Sequence, residues 1–139
     1  NLCLPYMERT GWGRIVNIAS TSVKEPMENM VLSNIFRSAV VSYAKTISKE
    51  LISKGITINN VCPGSFKTDR IIRLTEVRAK AAGMTVEEFE QKAVADLPHK
   101  RYMDPQELGD LVCYLCSDNA RSINGTTIQI DGGMISGLF

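Results

Sequence analysis

Three side chains that could do chemistry together stand in the first third of the sequence. Ser20 ends the apolar run GRIVNIAS, and Ser33 and Arg37 lie in VLSNIFRSAV, where apolar residues begin to recur at helical spacing. Residues four apart on a helix share one face, so Ser33 and Arg37 can meet one ligand. A hydroxyl can polarise a carbonyl oxygen, and a guanidinium can bind a ribose, a carboxylate or a phosphate. The trio indicates a polar site, with a solvated helix flank as the alternative for Ser33 and Arg37.

The apolar pattern predicts strands that alternate with helices around this trio. Residues 14–19, residues 56–62 and TTIQI at 126–130 are apolar or β-branched runs of strand length. Between the first two, helical spacing continues to about Lys54, and Gly55 then ends the helix. Strands joined by helices pair in parallel, which predicts an α/β sheet that binds ligands beyond the carboxyl ends of its strands.

Two capping boxes mark helices in the second half of the chain. Residues 70–97 are charged and predict two helical pieces around Gly83, the second of which opens with the pair Thr85 and Glu88. Asp104 and Glu107 open a further helix that runs through Cys116. In each box the two side chains satisfy backbone N–H groups that lack partners at a helix start, so the boxes locate both starts.

Composition and charge exclude several classes of protein. The chain has 139 residues, the length of one domain, and its formal net charge of +1 predicts neither a nucleic-acid surface nor an acidic tail. No apolar run approaches the roughly 18 residues of a membrane span, and we expect a cytoplasmic protein. Cys113 and Cys116 form a single CxxC inside an apolar helix, which favours two small core residues over a metal site.

Taken together, GRIVNIAS, the long helix, NNVCPGSFKTD and IQIDGG resemble the C-terminal half of a short-chain dehydrogenase/reductase. The resemblance implies the C-terminal part of a Rossmann-like doubly wound parallel sheet, namely its last three strands with flanking helices. Residues 1–139 would then be the C-terminal portion of a single oxidoreductase domain, with a helical substrate lid at about 70–97. Because the chain begins at Asn1 within a helical pattern, we expect a fragment of a longer protein.

The resemblance assigns catalytic roles to the opening trio. Ser20 matches the serine that polarises the substrate carbonyl, whereas Ser33 stands where the family has its proton-transferring tyrosine and Arg37 where it has a lysine, so YxxxK has become SxxxR. The pKa of a tyrosine is about 10 and an aliphatic hydroxyl is far less acidic, which makes Ser33 at best a hydrogen-bonding partner. Arg37 would hold the ribose or an acidic substrate group. Neither Tyr43 nor Tyr102 is predicted to replace the missing tyrosine.

The resemblance also implies a nicotinamide site after the second strand. Pro63 and Gly64 turn the backbone there, Phe66 offers main-chain contacts to the carboxamide, and Thr68 supports cofactor binding through its hydroxyl. The cofactor is NAD or NADP, because the residues that discriminate them follow an earlier strand in relatives.

We therefore expect an NAD(P)-dependent oxidoreductase that acts on a carbonyl or alcohol of a small-molecule substrate. The alternative is a catalytically impaired relative that serves as a nucleotide-binding or subunit-interaction protein; a lyase or isomerase is a weaker third interpretation. By the same resemblance the protein forms a homo-oligomer, a dimer or a tetramer, and binds neither nucleic acid nor membrane.

Overall fold

A computed structural model describes residues 2–138, which form a parallel sheet with helices on both faces. The strands of the described residues are β1 (Gly13–Ile18), β2 (Ile56–Pro63) and β3 (Thr127–Ile130). Their helices are α1 (Leu4–Thr10), α2 (Val31–Ile52), α3 (Asp69–Ala82), α4 (Val86–Val94) and α5 (Pro105–Leu115).

The sheet has the order β1-β2-β3 and both strand pairs are parallel. Ile18 of β1 pairs with Val61 of β2, and Pro63 of β2 pairs with Ile130 of β3, so all three strands end near one edge. The predicted parallel α/β sheet is confirmed.

Strand β2 lies between two apolar layers. On one face, Ile56 and Ile58 pack with Ala44 and Leu51 of α2. On the other face, Val61 packs with Leu115 of α5. Burying an aliphatic side chain of this size contributes about 1.5–3 kcal/mol, so these two layers hold the helices against the sheet.

Two local predictions differ from the structure. Helix α2 ends at Ile52, ahead of the predicted Lys54, and the left-handed Gly55 follows after a turn. Cys113 is exposed and Cys116 is half-buried at the end of α5, so the prediction that both pack in the core is wrong for Cys113. Helical periodicity shows which residues share a face of α5. It does not show how much of that face is covered by the rest of the protein, which is why the exposure of Cys113 was not predicted.

Within residues 2–138, no helix is both long and apolar enough to span a bilayer. A cytoplasmic location stays a prediction of the sequence.

The turn into β2 depends on a close approach between two backbone segments. Gly55 has a φ of 75°, and its carbonyl oxygen accepts the N–H of Gly13 at 3.3 Å. A Cβ at position 55 would lie 2.0 Å from the carbonyl oxygen of Gly11. Gly83, at the end of α3, has a similar φ of 66°, but a Cβ there would meet no neighbouring atom within 4 Å.

We therefore predict that Gly55→Ala destabilises the protein far more than Gly83→Ala. The left-handed conformation alone costs about 1 kcal/mol, which is the expected effect at Gly83, whereas the added clash raises the effect at Gly55 to about 3 kcal/mol. Urea unfolding of the two variants measures the difference. Equal losses would contradict the close approach.

An ion pair joins the segment before α5 to the start of that helix. Arg101 Nη1 lies 2.7 Å from Glu107 Oε1, and the same oxygen accepts the backbone N–H of Asp104 at 2.8 Å as part of the predicted capping box. The hydrogen bond from Arg101, followed by that from the Asp104 backbone, lowers the pKa of Glu107 from its ordinary 4.5 to about 2. The ionised form of Glu107 is therefore the one that the fold stabilises.

This pair predicts a specific acid sensitivity. Because the pKa of Glu107 is lower in the folded state, its contribution is complete above pH 4.5 and is lost as the pH falls towards about 2. In Glu107→Gln, the free energy of unfolding should fall less steeply than in the wild type as the pH is lowered from 4.5 to about 2. Glu76→Gln, at an exposed position without an ion pair in residues 2–138, is the control and should keep the wild-type slope.

Candidate active site

Ser33 and Arg37 are in direct contact on the first two turns of α2. Arg37 Nε donates to Ser33 Oγ at 3.1 Å, as their spacing on one helical face predicts. The bond leaves the hydroxyl hydrogen of Ser33 free to donate elsewhere. Serine and arginine therefore act as one polar unit.

Arg37 also ties α2 to the end of β1. Its Nη1 donates to the carbonyl oxygen of Ala19 and, at 3.4 Å, to that of Ile18. No acceptor for Nη2 occurs in the part of the chain that the structure describes. The guanidinium is thus held by the strand end, with one nitrogen still available to a ligand.

Ser20 follows immediately after the carbonyl that Arg37 binds. Its backbone is extended, and its Oγ accepts the backbone N–H of Ser22 at 3.1 Å, which caps the 3-10 turn Thr21–Val23. The hydroxyl hydrogen is not used in that bond, so Ser20 can still donate to a substrate oxygen. Capping and substrate contact are compatible roles for this side chain.

A buried thiol connects Ser20 to the end of β2. Cys62 is fully buried, and burial raises the pKa of its thiol, against a hydrogen bond from the Ser20 backbone and the positive charges of Lys24 and Arg37. The Asp131 carboxylate raises the pKa of Cys62 further. The strand register brings Ser20, Cys62 and Asp131, which lie at or just after the ends of β1, β2 and β3, to the same carboxyl edge of the sheet.

The turn after β2 packs against the end of β3. Gly64 donates its N–H to Ile130 O at 2.9 Å, and a Cβ on Gly64 would lie 2.8 Å from Cα of Asp131. Only glycine fits at this distance. The Asp131 carboxylate in turn accepts the backbone N–H groups of Gly133 and Ile135, both at 3.0 Å. These bonds fix the backbone that follows β3 against the end of β2.

The segment after this turn offers a backbone donor of the kind a carboxamide needs. Phe66 pairs with Met103 in an isolated bridge, yet its own N–H has no acceptor among residues 2–138. Its side chain is buried, which holds the backbone in place. The unpaired donor fits the nicotinamide contact that the resemblance implies at Phe66.

Thr68 has a structural use that the resemblance does not mention. Its Oγ1 accepts the N–H of Ile71 at 3.4 Å and caps α3, the first helix of the predicted lid. Lys67 beside it forms an ion pair with Glu90 of α4 at 2.6 Å, which ties the second lid helix to the same segment.

Tyr43 and Tyr102 form no hydrogen bond with the serine–arginine unit in the part of the chain that the structure describes. Tyr43 is 54% exposed on α2. Tyr102 lines a small cavity of about 160 Å³ between α3, α4 and Lys67. Neither hydroxyl contacts Ser33 or Arg37 in the described part of the chain.

Sequence reasoning missed Cys62 and Lys24 as neighbours of the site. Cys62 directly precedes Pro63 in a strand whose end the resemblance implicates, so its position was a usable signal. Lys24 lies in a loop without any pattern, and only the fold brings its charge towards Cys62.

Comparisons with known proteins bear on the family and the fold of this chain. A family model described as Enoyl-(Acyl carrier protein) reductase matches residues 1–135. The chain belongs to the short-chain dehydrogenase/reductase family.

Relatives in this family include enzymes with different substrates. The chain is 32% identical over 136 residues to the D-beta-hydroxybutyrate dehydrogenase of Cupriavidus necator, covering 97% of the chain and 53% of the relative. It is 31% identical over 131 residues to the 3-oxoacyl-[acyl-carrier-protein] reductase FabG of Aquifex aeolicus, covering 94% and 48%. The chain thus spans about half the length of these relatives.

A solved family structure supports the fold directly. The L-sorbose reductase of Gluconobacter frateurii, complexed with NADPH and L-sorbose, superposes with a TM-score of 0.90 at 29% identity, covering 97% of this chain and 52% of that enzyme. The predicted Rossmann-like parallel arrangement of the three strands and their helices is confirmed.

The role of Arg37 as a link between α2 and β1 predicts a stability effect. Arg37→Met leaves the Ile18 and Ala19 carbonyls without their donor and should lower the unfolding free energy by about 1–3 kcal/mol. Ser33→Ala removes one hydrogen bond at the same unit and should cost at most about 1 kcal/mol. Urea unfolding compares them, and equal losses would contradict the link.

Proposed function

We propose that residues 1–139 form the C-terminal portion of a single Rossmann-like oxidoreductase domain, with the substrate lid at about 70–97. The complete protein is an NAD(P)-dependent oxidoreductase that acts on a carbonyl or an alcohol. One observation carries this proposal: Ser20, the Ser33–Arg37 unit and the Pro63–Gly64 turn lie at the ends of adjacent parallel strands in a chain of this family.

Each residue has a role that its geometry permits. A bound nicotinamide supplies or accepts the hydride. Ser20 donates its free hydroxyl hydrogen to the substrate oxygen and so stabilises the charge that develops there. Arg37 binds the ribose or an acidic substrate group through its remaining nitrogen, and Ser33 positions the guanidinium through the 3.1 Å bond to Nε.

The cofactor contacts follow the turn after β2. Pro63 and Gly64 bring the backbone to the sheet edge, and the unpaired N–H of Phe66 meets the carboxamide. Thr68 supports this contact by capping α3, which fixes the direction of the segment that carries Phe66. The cofactor is NAD or NADP.

Proton transfer is the weak step of this site. Arginine keeps its proton at ordinary pH, and the hydroxyl of serine is a much poorer acid than a phenol. Loss of a positioned acid lowers a rate by about two to four orders of magnitude. We therefore expect slow turnover compared with family members that carry YxxxK.

The same contacts favour a second candidate, a catalytically impaired relative that binds nucleotide or partner subunits. Two nitrogens of Arg37 are engaged by Ser33, Ile18 and Ala19, a use that serves the fold and leaves only one for a ligand. In this interpretation SxxxR is a structural tie that replaced the catalytic pair.

We also infer that the protein forms a homo-oligomer through α2. An apolar row on this helix stands open to solvent, with Leu32 at 70%, Phe36 at 66% and Tyr43 at 54% exposure. Exposed contiguous apolar surface of this kind is typical of interfaces. A second copy of the chain, in a dimer or a tetramer, would cover it.

The decisive test measures cofactor binding and turnover by the complete protein. We expect oxidation of NADH or NADPH with at least one member of a ketone panel, followed at the absorbance of the reduced nicotinamide. Ser20→Ala should lower turnover about a hundredfold, because it removes the donor to the substrate oxygen. Ser53→Ala, at an exposed position after α2, is the matched control and should leave turnover unchanged.

The other outcomes separate the two candidates. Cofactor binding without turnover, with activity gained in the double variant Ser33→Tyr and Arg37→Lys, supports the impaired relative. A folded complete protein that binds neither dinucleotide overturns the cofactor assignment and the oxidoreductase proposal together.

A further inference from the structure

A second polar depression lies beside α2, away from the serine–arginine unit. It encloses about 860 Å³, a volume in the range of small-molecule sites. We call it the α2–β3 groove, since α2 and the start of β3 form its walls and the 3-10 turn after β1 closes one end. Its described lining residues are Val23, Lys24, Ser38, Val41, Ser42, Lys45, Thr46, Gly125, Thr126, Thr127 and Leu138.

The charge in the α2–β3 groove is of one sign. Lys24 and Lys45 line it, and its described lining includes no aspartate or glutamate. Neither lysine forms an ion pair with the residues between 2 and 138, and Lys45 Nζ donates only to the Gly125 carbonyl at 2.9 Å. The groove lining therefore carries two positive charges and no negative one, whereas the whole chain has a formal net charge of only +1.

Hydroxyl groups supply directional donors between the two ammonium groups. Ser38 and Ser42 are one helical turn apart on the same row of α2, and neither side chain donates a hydrogen bond within the described chain. Thr127 Oγ1 accepts Asn60 Nδ2 at 3.3 Å from inside the sheet. Its own hydrogen is therefore left to donate towards the groove.

We propose that the α2–β3 groove binds a small polyvalent anion, a carboxylate or a phosphate, through Lys24, Lys45, Ser38, Ser42 and Thr127. Two uncompensated ammonium groups attract at least two negative charges, and the hydroxyls complete the hydrogen bonding of the anion's oxygens. Val23 and Val41 form an apolar wall that accommodates a carbon skeleton.

The groove has different lining residues from the proposed oxidoreductase site, although the charge of Lys24 also acts on Cys62 beside that site. None of Ser20, Ser33, Arg37, Pro63 or Gly64 lines the groove. The two proposals can therefore succeed or fail independently.

The test is isothermal titration calorimetry of the complete protein with citrate and with pyrophosphate. NADPH is present throughout, so that a dinucleotide site cannot bind the probe. Acetate at equal ionic strength is the monovalent control for non-specific effects of salt. We expect saturable binding of at least one polyvalent anion and none of acetate. Tighter citrate binding assigns a carboxylate ligand and tighter pyrophosphate binding assigns a phosphate.

Variants that remove a single positive charge locate the binding site. Lys24→Met removes a lysine whose side chain makes no hydrogen bond within the described chain, so the fold should persist and affinity should fall about tenfold. Lys45→Met should weaken binding similarly, and Lys45→Arg should restore it because the charge returns. Lys80→Met, at an exposed position on α3, makes the same change in net charge and should bind as the wild type.

Two results would overturn the proposal. One is equal affinity of Lys24→Met, Lys45→Met and Lys80→Met, which would place the anion elsewhere. The other is the absence of saturable heat with both polyvalent probes.

Discussion

The burial of β2 between two parallel neighbours is the constraint that shapes every other part of the structure. Its side chains are apolar apart from Thr57, Asn59 and Asn60, and each face is covered by a different helical layer. Parallel pairing then brings the ends of all three strands to one edge. The chain leaves the sheet at that edge, and Ser20, Gly64 and Asp131 lie in the segments that follow the three strands.

Helix α2 shows how one element can serve several environments at once. Its 22 residues offer separate rows to the core, to the strand ends, to the α2–β3 groove and to solvent. These rows are represented by Ala44 and Leu51, by Ser33 and Arg37, by Ser38 and Ser42, and by Leu32, Phe36 and Tyr43. Such a division is possible because a helix presents side chains in all directions along its length.

The contacts of Arg37 show what a guanidinium does at this position of α2. Arg37 is longer than lysine and carries several donors, and it uses them to hold the carbonyls that end β1. Arg37 is thus a structural tie between α2 and the end of β1. In our proposal the same residue also stands at the family's lysine position, and the site lacks the usual phenolic acid.

Local signals along the chain were enough to predict the strands, the helix starts, the parallel order and the family, because apolar periodicity, capping boxes and the PG turn each act over a few residues. They also placed Ser33 beside Arg37, since that contact follows from helical spacing. The reach of Arg37 to the Ala19 carbonyl, the approach of Lys24 to Cys62 and the outward position of Cys113 emerged only from the packed fold. Those features depend on how segments far apart in the sequence pack together. A local sequence pattern does not determine the orientation that a side chain adopts in such packing.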